Sequence, residues 1–198
     1  MAAAIRLATP QDAEAIQDIY APIVRDTVIS FEVEPPSVAE MRQRILDTLT
    51  LWPWLVCEHH GDVLGYAYAG KYRARAAYQW SVDVSIYNHE RARRRGVGRA
   101  LYSALLRGLV LQGFYNAQAG ITLPNVASVS LHEAMGFQPI GVYRKIGYKL
   151  GAWHDVGWWQ LALQPHAGEP PPLRALSVVQ GSAAWEAALA VGTSQLQL

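Results

Sequence analysis

The segment from Arg93 to Gly98, Arg-Arg-Arg-Gly-Val-Gly, carries the residue types that bind an anion. It lies between an apolar, strand-like run (80–87) and an amphipathic run that begins at Arg99. Glycine allows positive φ angles and a close approach of the backbone to a ligand. The first amides of a helix lack internal partners and lie at the positive end of its dipole. This order therefore predicts a phosphate site, although a short G-x-G alone is as typical of a plain strand-to-helix turn.

Two other side chains have the chemistry to move protons. Asp83 lies among Trp80, Val82 and Val84, and a carboxylate is unusual on so apolar a strand. This position favours a functional role for Asp83 over a solvent-facing one. His132 belongs to a predicted short helix, and histidine is suited to act as a base or an acid near neutral pH. Taken alone, a helix histidine such as His132 is more typical of a packed core residue.

Composition limits the classes of function. The chain has 198 residues, 51% hydrophobic and 17% charged, which fits one α/β domain with an appendage. A formal net charge of +1 gives no overall attraction to nucleic acid or to a membrane surface. The single cysteine, Cys57, excludes an internal disulfide framework, gives no support to a cysteine-rich metal site, and is predicted to lie in the core. With no recognisable signal peptide or bilayer-spanning run, the cytoplasm is the expected location.

The elements that hold these residues are predicted from apolar spacing, helix caps, and glycine and proline positions. One helix is predicted to start at Thr9, followed by proline, and another at Ser37, which forms a capping box with Glu40. Gly136 is predicted to end a helix in the left-handed conformation. The predicted strands are 5–8, 54–59, 63–69, 78–87, 117–122, 138–150 and 156–163; besides the helices starting at 9 and 37, helices are predicted at 96–112 and 126–135.

The character of the chain changes after Gln164. Residues 165–172 are rich in proline and resemble a linker, and residues 173–198 are rich in Ala, Ser and Gln, with one helix predicted near 182–190. The sequence therefore predicts a domain at 1–164 and a flexible or loosely docked tail at 165–198 that carries no chemistry.

The predicted order β-α-α-β-β-β-α-β-α-β-β resembles the GNAT acyltransferase superfamily. The glycine loop matches that family's pyrophosphate motif, Q/R-x-x-G-x-G/A, at Arg93, Gly96 and Gly98. Within the superfamily, the chain resembles the phosphinothricin and methionine sulfoximine N-acetyltransferases over about 5–163. Four segments carry this closer resemblance: 78–83, 123–125, 131–137 and 151–157.

The resemblance implies an α/β fold whose mixed, mostly antiparallel sheet has a splayed central strand pair flanked by helices. It implies acetyl-CoA as donor, the α-amine of a small amino acid as acceptor, and a homodimer to which the tryptophans at 153, 158 and 159 contribute. Free main-chain groups at 84–87 would bind the pantetheine arm. Asn125 either contacts the cofactor or caps the short helix. The implied cofactor-binding residues are Ser85, Ile86, Tyr87, Arg93, Arg94, Arg95, Gly96, Val97, Gly98, Asn125 and Ser128.

The implied reaction needs a neutral amine, because an α-amino group has a pKa of about 7.7–8.0 and only its free base attacks. The usual base of the family is a glutamate on the fourth strand, and the resemblance gives this role to Asp83. Aspartate is one methylene shorter, so it needs a bridging water or a shifted substrate. His132 matches the second catalytic position, as a base or an acid near the thiol. A main-chain N–H at 85–87 is expected to polarise the thioester carbonyl.

Acceptor selectivity is expected from residues that flank the site. An arginine can bind the acceptor's carboxylate through two hydrogen bonds, and Arg73 and Arg75 precede the fourth strand; solvated surface charge is the alternative for each. His154 and Asp155 either position substrate or close a turn. The expected substrate-binding residues are Phe31, Glu32, Arg73, Arg75, Tyr78 and Lys149.

Two alternatives remain at this point. The aspartate in the glutamate position and the tail are compatible with an acyl-CoA-binding module that has no catalytic activity. The acceptor is equally open to being a peptide or protein amine, for which an open groove rather than a closed pocket is expected.

Overall fold

The computed structural model of the protein describes residues 3–198. Within this range seven strands form one sheet, and six α-helices flank it. The strands are β1 (Ala4–Leu7), β2 (Trp54–His59), β3 (Asp62–Lys71), β4 (Ser81–Asn88), β5 (Asn116–Leu123), β6 (Gln138–Lys149) and β7 (Ala152–Ala162); the helices are α1 (Ala13–Asp26), α2 (Val38–Leu49), α3 (Val97–Gln112), α4 (Val126–Ala134), α5 (Leu176–Val179) and α6 (Ala183–Thr193).

The sheet confirms the expected mixed, mostly antiparallel architecture. Its strand order is β1-β2-β3-β4-β5-β7-β6, and β4–β5 is the parallel pair among antiparallel neighbours. The β4–β5 ladder covers 81–83 against 116–118, whereas β5 goes on pairing with β7 as far as Leu123. Strands β4 and β5 therefore separate after Asp83, which is the splay that the family resemblance implies.

Two hydrophobic clusters lie on opposite faces of the sheet. On one face, α1 and α2 cover Trp54, Val56 and Tyr66. On the other face, α3 packs on β2, β3 and β4. Because side chains alternate along a strand and Asp83 and Ser85 lie opposite Gly70 and Tyr68 in the β3–β4 ladder, Asp83 points to the face covered by α1 and α2.

Local signals fix several helix ends. Ser37 and Glu40 form the predicted capping box, with Ser37 Oγ accepting from Glu40 N at 3.2 Å. Gly136 takes the predicted left-handed conformation after α4 (φ 94°). The prediction of a strand from residue 78 was wrong at its start, because Ala76–Tyr78 form a 3-10 turn and β4 begins at Ser81.

The tail differs from the sequence expectation of a flexible or loosely docked segment. The helix predicted near 182–190 is present as α6, and α6 packs along α3. Trp185 of α6 is only 2% exposed, and the short α5 adds buried Leu176 and Val179 to the cluster around α3. The division into a domain at 1–164 and a tail at 165–198 remains a prediction.

None of the helices formed by residues 3–198 combines the length and apolar character needed to cross a bilayer.

Candidate functional site

A cleft opens where β4 and β5 separate. Past Asp83, the described residues of β4 pair with β3 on one side and with no strand on the other. The main-chain groups of 84–87 that point away from β3 are therefore free to bind a ligand. The cleft is lined by Ile29, Val84, Ser85, Ile86, Tyr87, Tyr102, Gly120, Ile121, Thr122, Asn125, Ser128 and His132.

The glycine loop connects β4 to α3, next to this cleft. Gly96 is the N-cap residue of α3 and has a φ of 75°, which favours glycine. Arg94 also has a positive φ of 61°. The side chains of Arg93, Arg94 and Arg95 are exposed, and Arg93 pairs with Glu90 at 3.1 Å. Anion-binding geometry is thus present: an exposed basic loop that leads into a helix N-terminus.

Close packing around the first turn of α3 explains why the second position of the motif, Gly98, is a glycine. Gly98 is buried, and a Cβ atom there would lie 3.0 Å from Leu131 of α4 and 3.1 Å from the Asn88 side chain. Gly98 therefore lets α3 approach β4 and α4 closely. Val97 is 1% exposed and packs in the core, so only its main chain is placed to face a ligand.

His132 lies at the cleft with both ring nitrogens engaged. Nδ1 lies 2.7 Å from the carbonyl oxygen of Ser128, so it carries the proton and donates it. Nε2 then accepts from the hydroxyl of Tyr102 at 2.8 Å. Burial lowers the pKa of His132 and raises the pKa of Tyr102 well above its usual value, so both groups are neutral near pH 7.

Asn125 caps α4, as one of the two sequence interpretations expects. Its Oδ1 accepts a hydrogen bond from Ser128 N at 3.1 Å. Within residues 3–198 the Nδ2 donor of Asn125 has no hydrogen-bond partner, and the residue lines the cleft. The capping role therefore leaves one donor for a ligand. The Ser128 hydroxyl lies 3.4 Å from His132 Nδ1.

Asp83 lies at the base of the cleft with an unsatisfied oxygen. Burial raises the pKa of Asp83 to about 7, and the nearby charge of Arg73 opposes this shift. Oδ1 of Asp83 is buried and has no hydrogen-bond partner among the described residues. A buried carboxylate that titrates near neutral pH is suited to general base catalysis.

Gln118 and Trp158 add two more unsatisfied polar atoms near Asp83. Gln118 is the β5 residue paired with Asp83, is 5% exposed, and has a buried Oε1 atom without a partner in the described chain. Trp158 of β7 pairs with Gly120, two residues along the same face, and its Nε1 donor is also unpaired. Since buried polar groups are normally hydrogen-bonded, two acceptors and one donor on one face indicate a ligand or water position.

Arg73 is the arginine that the structure brings near Asp83. Its guanidinium carbon lies 4.3 Å from the ring centroid of Tyr72 and 5.6 Å from that of Trp158. Tyr78 makes an edge contact with Tyr72 at 5.8 Å and is 42% exposed. Arg75 is exposed and directly precedes the 3-10 turn Ala76–Tyr78, and its side chain makes no capping hydrogen bond to that turn. Of the two arginines, only Arg73 acts electrostatically on Asp83.

The loop between α1 and α2 carries two of the expected substrate-binding residues, Phe31 and Glu32, and the prediction that Lys149 of β6 binds substrate was wrong. Lys149 is 7% exposed, and its Nζ donates to the carbonyl oxygens of Val24 at 2.5 Å and Ser30 at 2.7 Å. The ammonium group therefore anchors this loop and does not face a substrate. Two buried carbonyl groups at the start of the loop need a donor, and Lys149 supplies it.

Phe31 and Glu32 occupy the same loop. The Phe31 ring lies directly against Gly147, where a side chain would overlap it, and its centroid is 6.4 Å from that of His154. Both Glu32 oxygens are engaged, by two hydrogen bonds from Arg44 at 2.7 and 3.0 Å and one from the Tyr20 hydroxyl at 2.9 Å. The carboxylate of Glu32 is thus already hydrogen-bonded within the protein, whereas the ring of Phe31 is partly exposed and accessible.

His154 and Asp155 close the bulged β6–β7 hairpin, one of the two roles left open by the sequence. Asp155 accepts from Lys145 N at 2.8 Å and from Arg144 Nη1 at 3.0 Å, at the point where the register shifts. His154 Nε2 donates to the carbonyl oxygen of Lys149 at 2.9 Å. These contacts fix the hairpin that supports Phe31 and Lys149.

A second cavity, of about 280 Å³, lies under α1 and α2 on the same face as Asp83. Tyr68 connects it to the cleft, because Tyr68 lines the cavity and is paired in the β3–β4 ladder with Ser85, which lines the cleft. Trp54 lines the cavity, stacks on Tyr68 at 4.2 Å and has a buried, unpaired Nε1 atom within the described residues. The cavity is lined by Tyr20, Met41, Arg44, Asp47, Thr48, Trp54, Tyr66 and Tyr68.

Sequence reasoning missed four residues of this site: Tyr68, Tyr102, Gln118 and Trp158. Tyr102 is part of the apolar stripe of α3, and nothing local distinguishes it from core residues. For Gln118 the sequence does contain a sign of function, because it is the one amide-bearing side chain in the small, apolar run Ala117–Ile121. Its role becomes visible only when the β4–β5 register places it beside Asp83.

The known proteins to which this chain is similar are acetyltransferases. Residues 5–158 match the family described as acetyltransferase (GNAT) domain. The chain is 41% identical over 175 residues to the phosphinothricin N-acetyltransferase of Streptomyces viridochromogenes, covering 88% of this chain and 95% of that protein. It is 34% identical over 173 residues to the L-methionine sulfoximine/L-methionine sulfone acetyltransferase of Pseudomonas aeruginosa, covering 86% of this chain and 100% of that protein.

A solved structure extends this similarity to three dimensions. The phosphinothricin acetyltransferase of Sinorhizobium meliloti, determined in complex with acetyl-CoA, superposes with a TM-score of 0.81 and is 36% identical. The similarity covers 86% of this chain and 94% of that one.

Proposed function

Because the chain belongs to the GNAT acetyltransferase family, we propose that it transfers an acetyl group from acetyl-CoA to the α-amine of a small amino acid or analogue. Acceptors of the phosphinothricin, methionine sulfoximine and methionine sulfone type are the first to test, since related enzymes carry those names. The observation that carries the proposal is the separation of β4 and β5 directly after Asp83, which joins a free main-chain edge to a buried carboxylate.

The cleft fits the donor. The free edge at 84–87 has main-chain groups available for an extended amide-containing chain, and the loop at 93–98 supplies positive charge and helix amides for a diphosphate. The Asn125 amide also belongs to the cleft lining. When bound, acetyl-CoA would supply the thioester whose acetyl carbon the amine attacks, with CoA leaving as its thiolate. A main-chain N–H at 85–87 would polarise the thioester carbonyl.

Asp83 removes the proton from the acceptor's ammonium group. With a pKa of about 7, raised by burial, the carboxylate is basic enough to take this proton and is still largely ionised above neutral pH. Gln118 Oε1 lies beside it and provides a second acceptor for the amine or for a bridging water. This second acceptor compensates for the methylene by which aspartate is shorter than the family's glutamate.

His132 acts in this proposal as a positioning residue. Its nitrogens are hydrogen-bonded to Ser128 and Tyr102, and burial lowers its pKa, so the ring is neutral near pH 7 and its one N–H is already donated to Ser128. It orients the Tyr102 hydroxyl toward the cleft that both residues line. Proton transfer from the amine is therefore assigned to Asp83 alone.

Arg73 binds the acceptor's carboxylate. The guanidinium lies over Tyr72 close to Trp158 and within electrostatic reach of Asp83, so a bound amino acid would place its two charged groups against Arg73 and Asp83. The loop anchored by Lys149 keeps Phe31 against the β6–β7 hairpin, which limits the room for a long peptide.

An acceptor panel tests the proposal. Thiol release from acetyl-CoA is measured with methionine sulfoximine, methionine sulfone, phosphinothricin, ordinary amino acids and an N-terminal peptide. Turnover with free amino acid analogues, lost in Asp83→Asn, is expected. Tight CoA binding without turnover of any amine would instead favour the module without catalytic activity, and turnover of the peptide alone would favour a peptide acceptor.

A homodimer is part of the same proposal. Strand β6 lies at the edge of the sheet and exposes a series of apolar side chains, as does the start of β7. Large exposed apolar patches mark protein interfaces, and Ile146, Tyr148 and Trp153 are each more than half exposed. Sedimentation of the wild type against a Tyr148→Lys, Trp153→Lys double variant tests it; a monomeric wild type would refute it.

The expected cytoplasmic location also belongs to this proposal. Cys57, the single cysteine, is buried and unpaired, and free thiols are typical of reducing compartments. Fractionation of producing cells, with acetyltransferase activity followed in each fraction, tests this location.

A further inference from the structure

Helix α6 fits against α3 through glycines at two points. A Cβ atom on Gly108 of α3 would lie 2.8 Å from the ring of Trp185, and one on Gly192 of α6 would lie 2.6 Å from the carbonyl oxygen of Ala100. Both contacts are too close for any larger residue. The N-terminal end of α3, which follows the glycine loop, is thus in main-chain contact with the end of α6.

The residues after α6 continue onto the glycine loop itself. Gln197 N donates a hydrogen bond to the carbonyl oxygen of Arg95 at 3.1 Å. The carbonyl oxygen of Gln195 occupies the position that a side chain on Gly96 would need. The loop is therefore held from behind by the chain's own C-terminal segment.

A pair of side chains, one from this segment and one from α3, fixes the segment against α3. The Gln195 amide and the Ser103 hydroxyl exchange hydrogen bonds, with Nε2 to Oγ at 2.9 Å and Oγ to Oε1 at 3.1 Å. Ser103 is 4% exposed and lies on α3, two turns after Gly96. Thr193 adds a third anchor, since its hydroxyl accepts from Ile5 N of β1 at 3.2 Å.

We propose that residues 194–197 are a positioning element for the donor site: they hold Arg95 and Gly96 in the conformation that binds the diphosphate of CoA. The inference rests on the proposed function, because it assumes that this loop binds CoA. Gly96 has the left-handed φ of 75° and precedes the first helix amides, so its conformation decides where those amides point. Ordering the loop before binding lowers the entropic cost that the ligand otherwise meets.

This element lies beyond the segment that the family model matches. The family match ends at residue 158, and the Pseudomonas aeruginosa protein is matched over its full length by 86% of this chain. Residues 194–197 lie outside the matched family segment. The shared loop motif is therefore combined here with a support that lies outside the family match.

Truncation tests the inference without removing α6. A chain ended after Thr193 keeps the helix and loses the contacts of Gln195 and Gln197; a chain ended after Gln197 is the matched control. We expect the Kd of CoA, measured by calorimetry, and the KM of acetyl-CoA to rise about tenfold in the shorter chain. The acceptor KM at saturating acetyl-CoA is expected to stay within about twofold of the wild type. An unchanged Kd for CoA in the folded, shortened chain would overturn the inference.

A point variant covers the case in which the shortened chain fails to fold. Gln195→Ala removes the pair with Ser103 from the full chain, and Glu186→Gln on the exposed side of α6 is its control. We expect a rise of about threefold in the KM of acetyl-CoA for Gln195→Ala; equal values for both variants would contradict the inference. If the wild-type chain does not bind CoA at all, the proposed function fails instead.

Discussion

Asp83 and Gln118 face each other at the last paired position of the parallel β4–β5 ladder, and each has a buried side-chain oxygen without a hydrogen-bond partner in the described chain. Beyond this pair the strands separate and the cleft begins. Unsatisfied buried acceptors are costly in a folded protein. We propose that the amine of the acetyl acceptor binds beside these two oxygens.

Asp83→Asn is expected to lower kcat by about 10²- to 10⁴-fold, because the general base is lost. In the wild type, kcat/KM should rise with pH through about 7, as the carboxyl group, whose pKa burial raises to about 7, becomes ionised. This limb should disappear in the variant, which leaves only the titration of the acceptor's amine. Asp83→Glu is the control and should keep an acidic limb. Wild-type rates in Asp83→Asn, measured by thiol release, would rule out the base.

Gln118→Met is expected to raise the acceptor KM by about tenfold, because a side chain of similar shape replaces the second acceptor oxygen. The KM of acetyl-CoA should change little, since Gln118 is not part of the cleft lining. Gln160→Met is the matched control: Gln160 is the β7 neighbour of Gln118, and its amide is already bonded to Asn116 at 3.3 Å. Equal acceptor KM values in the two variants would exclude a role for Gln118.

Arg73→Ala is expected to raise the acceptor KM by about 10- to 100-fold for amino acids, because a charged hydrogen-bond pair with the carboxylate is lost. The KM of an amine of the same shape without a carboxylate should stay at the wild-type value. The pH midpoint of kcat/KM should move upward, since the charge of Arg73 holds the pKa of Asp83 below the value that burial alone would give. Arg75→Ala should have neither effect; the same loss in both variants would contradict the assignment to Arg73.

Lys149→Met is expected to lower the free energy of unfolding by about 2–3 kcal/mol, because two buried carbonyl groups lose a charged donor. Denaturant unfolding measures this, with Lys71→Met on an exposed part of β3 as the control. If Lys149 bound the acceptor instead, the acceptor KM would rise while the unfolding free energy stayed at the wild-type value.

Local signals in the sequence were sufficient for elements that depend on neighbouring residues. The strand Trp54–His59, the capping box at Ser37 and the left-handed Gly136 follow from patterns within a few residues. The glycine loop and Asp83 were found in the same way. Each of these features is decided by backbone conformation or by alternation along one strand.

Features that depend on contacts between distant segments were not predictable. Lys149 shows no local sign of burial, since its partners Val24 and Ser30 are more than 100 residues away. Packing of the tail depends on Gly108 and Gly192, two glycines that leave room for another helix. The polar, small-residue composition of 173–198 hides this, because only Trp185 and a few aliphatic residues face α3. The role of Gln118 likewise requires the strand register.

The early end of the β4–β5 ladder gives a central strand the solvent behaviour of an edge strand. Along 84–87, main-chain N–H groups that point to β3 are bonded, and those that point into the gap are open to water in the free protein. Deuterium should therefore enter every second amide of this stretch quickly, in the middle of an otherwise protected sheet. Donor binding would slow that exchange, so the splayed strand is itself a reporter of occupancy.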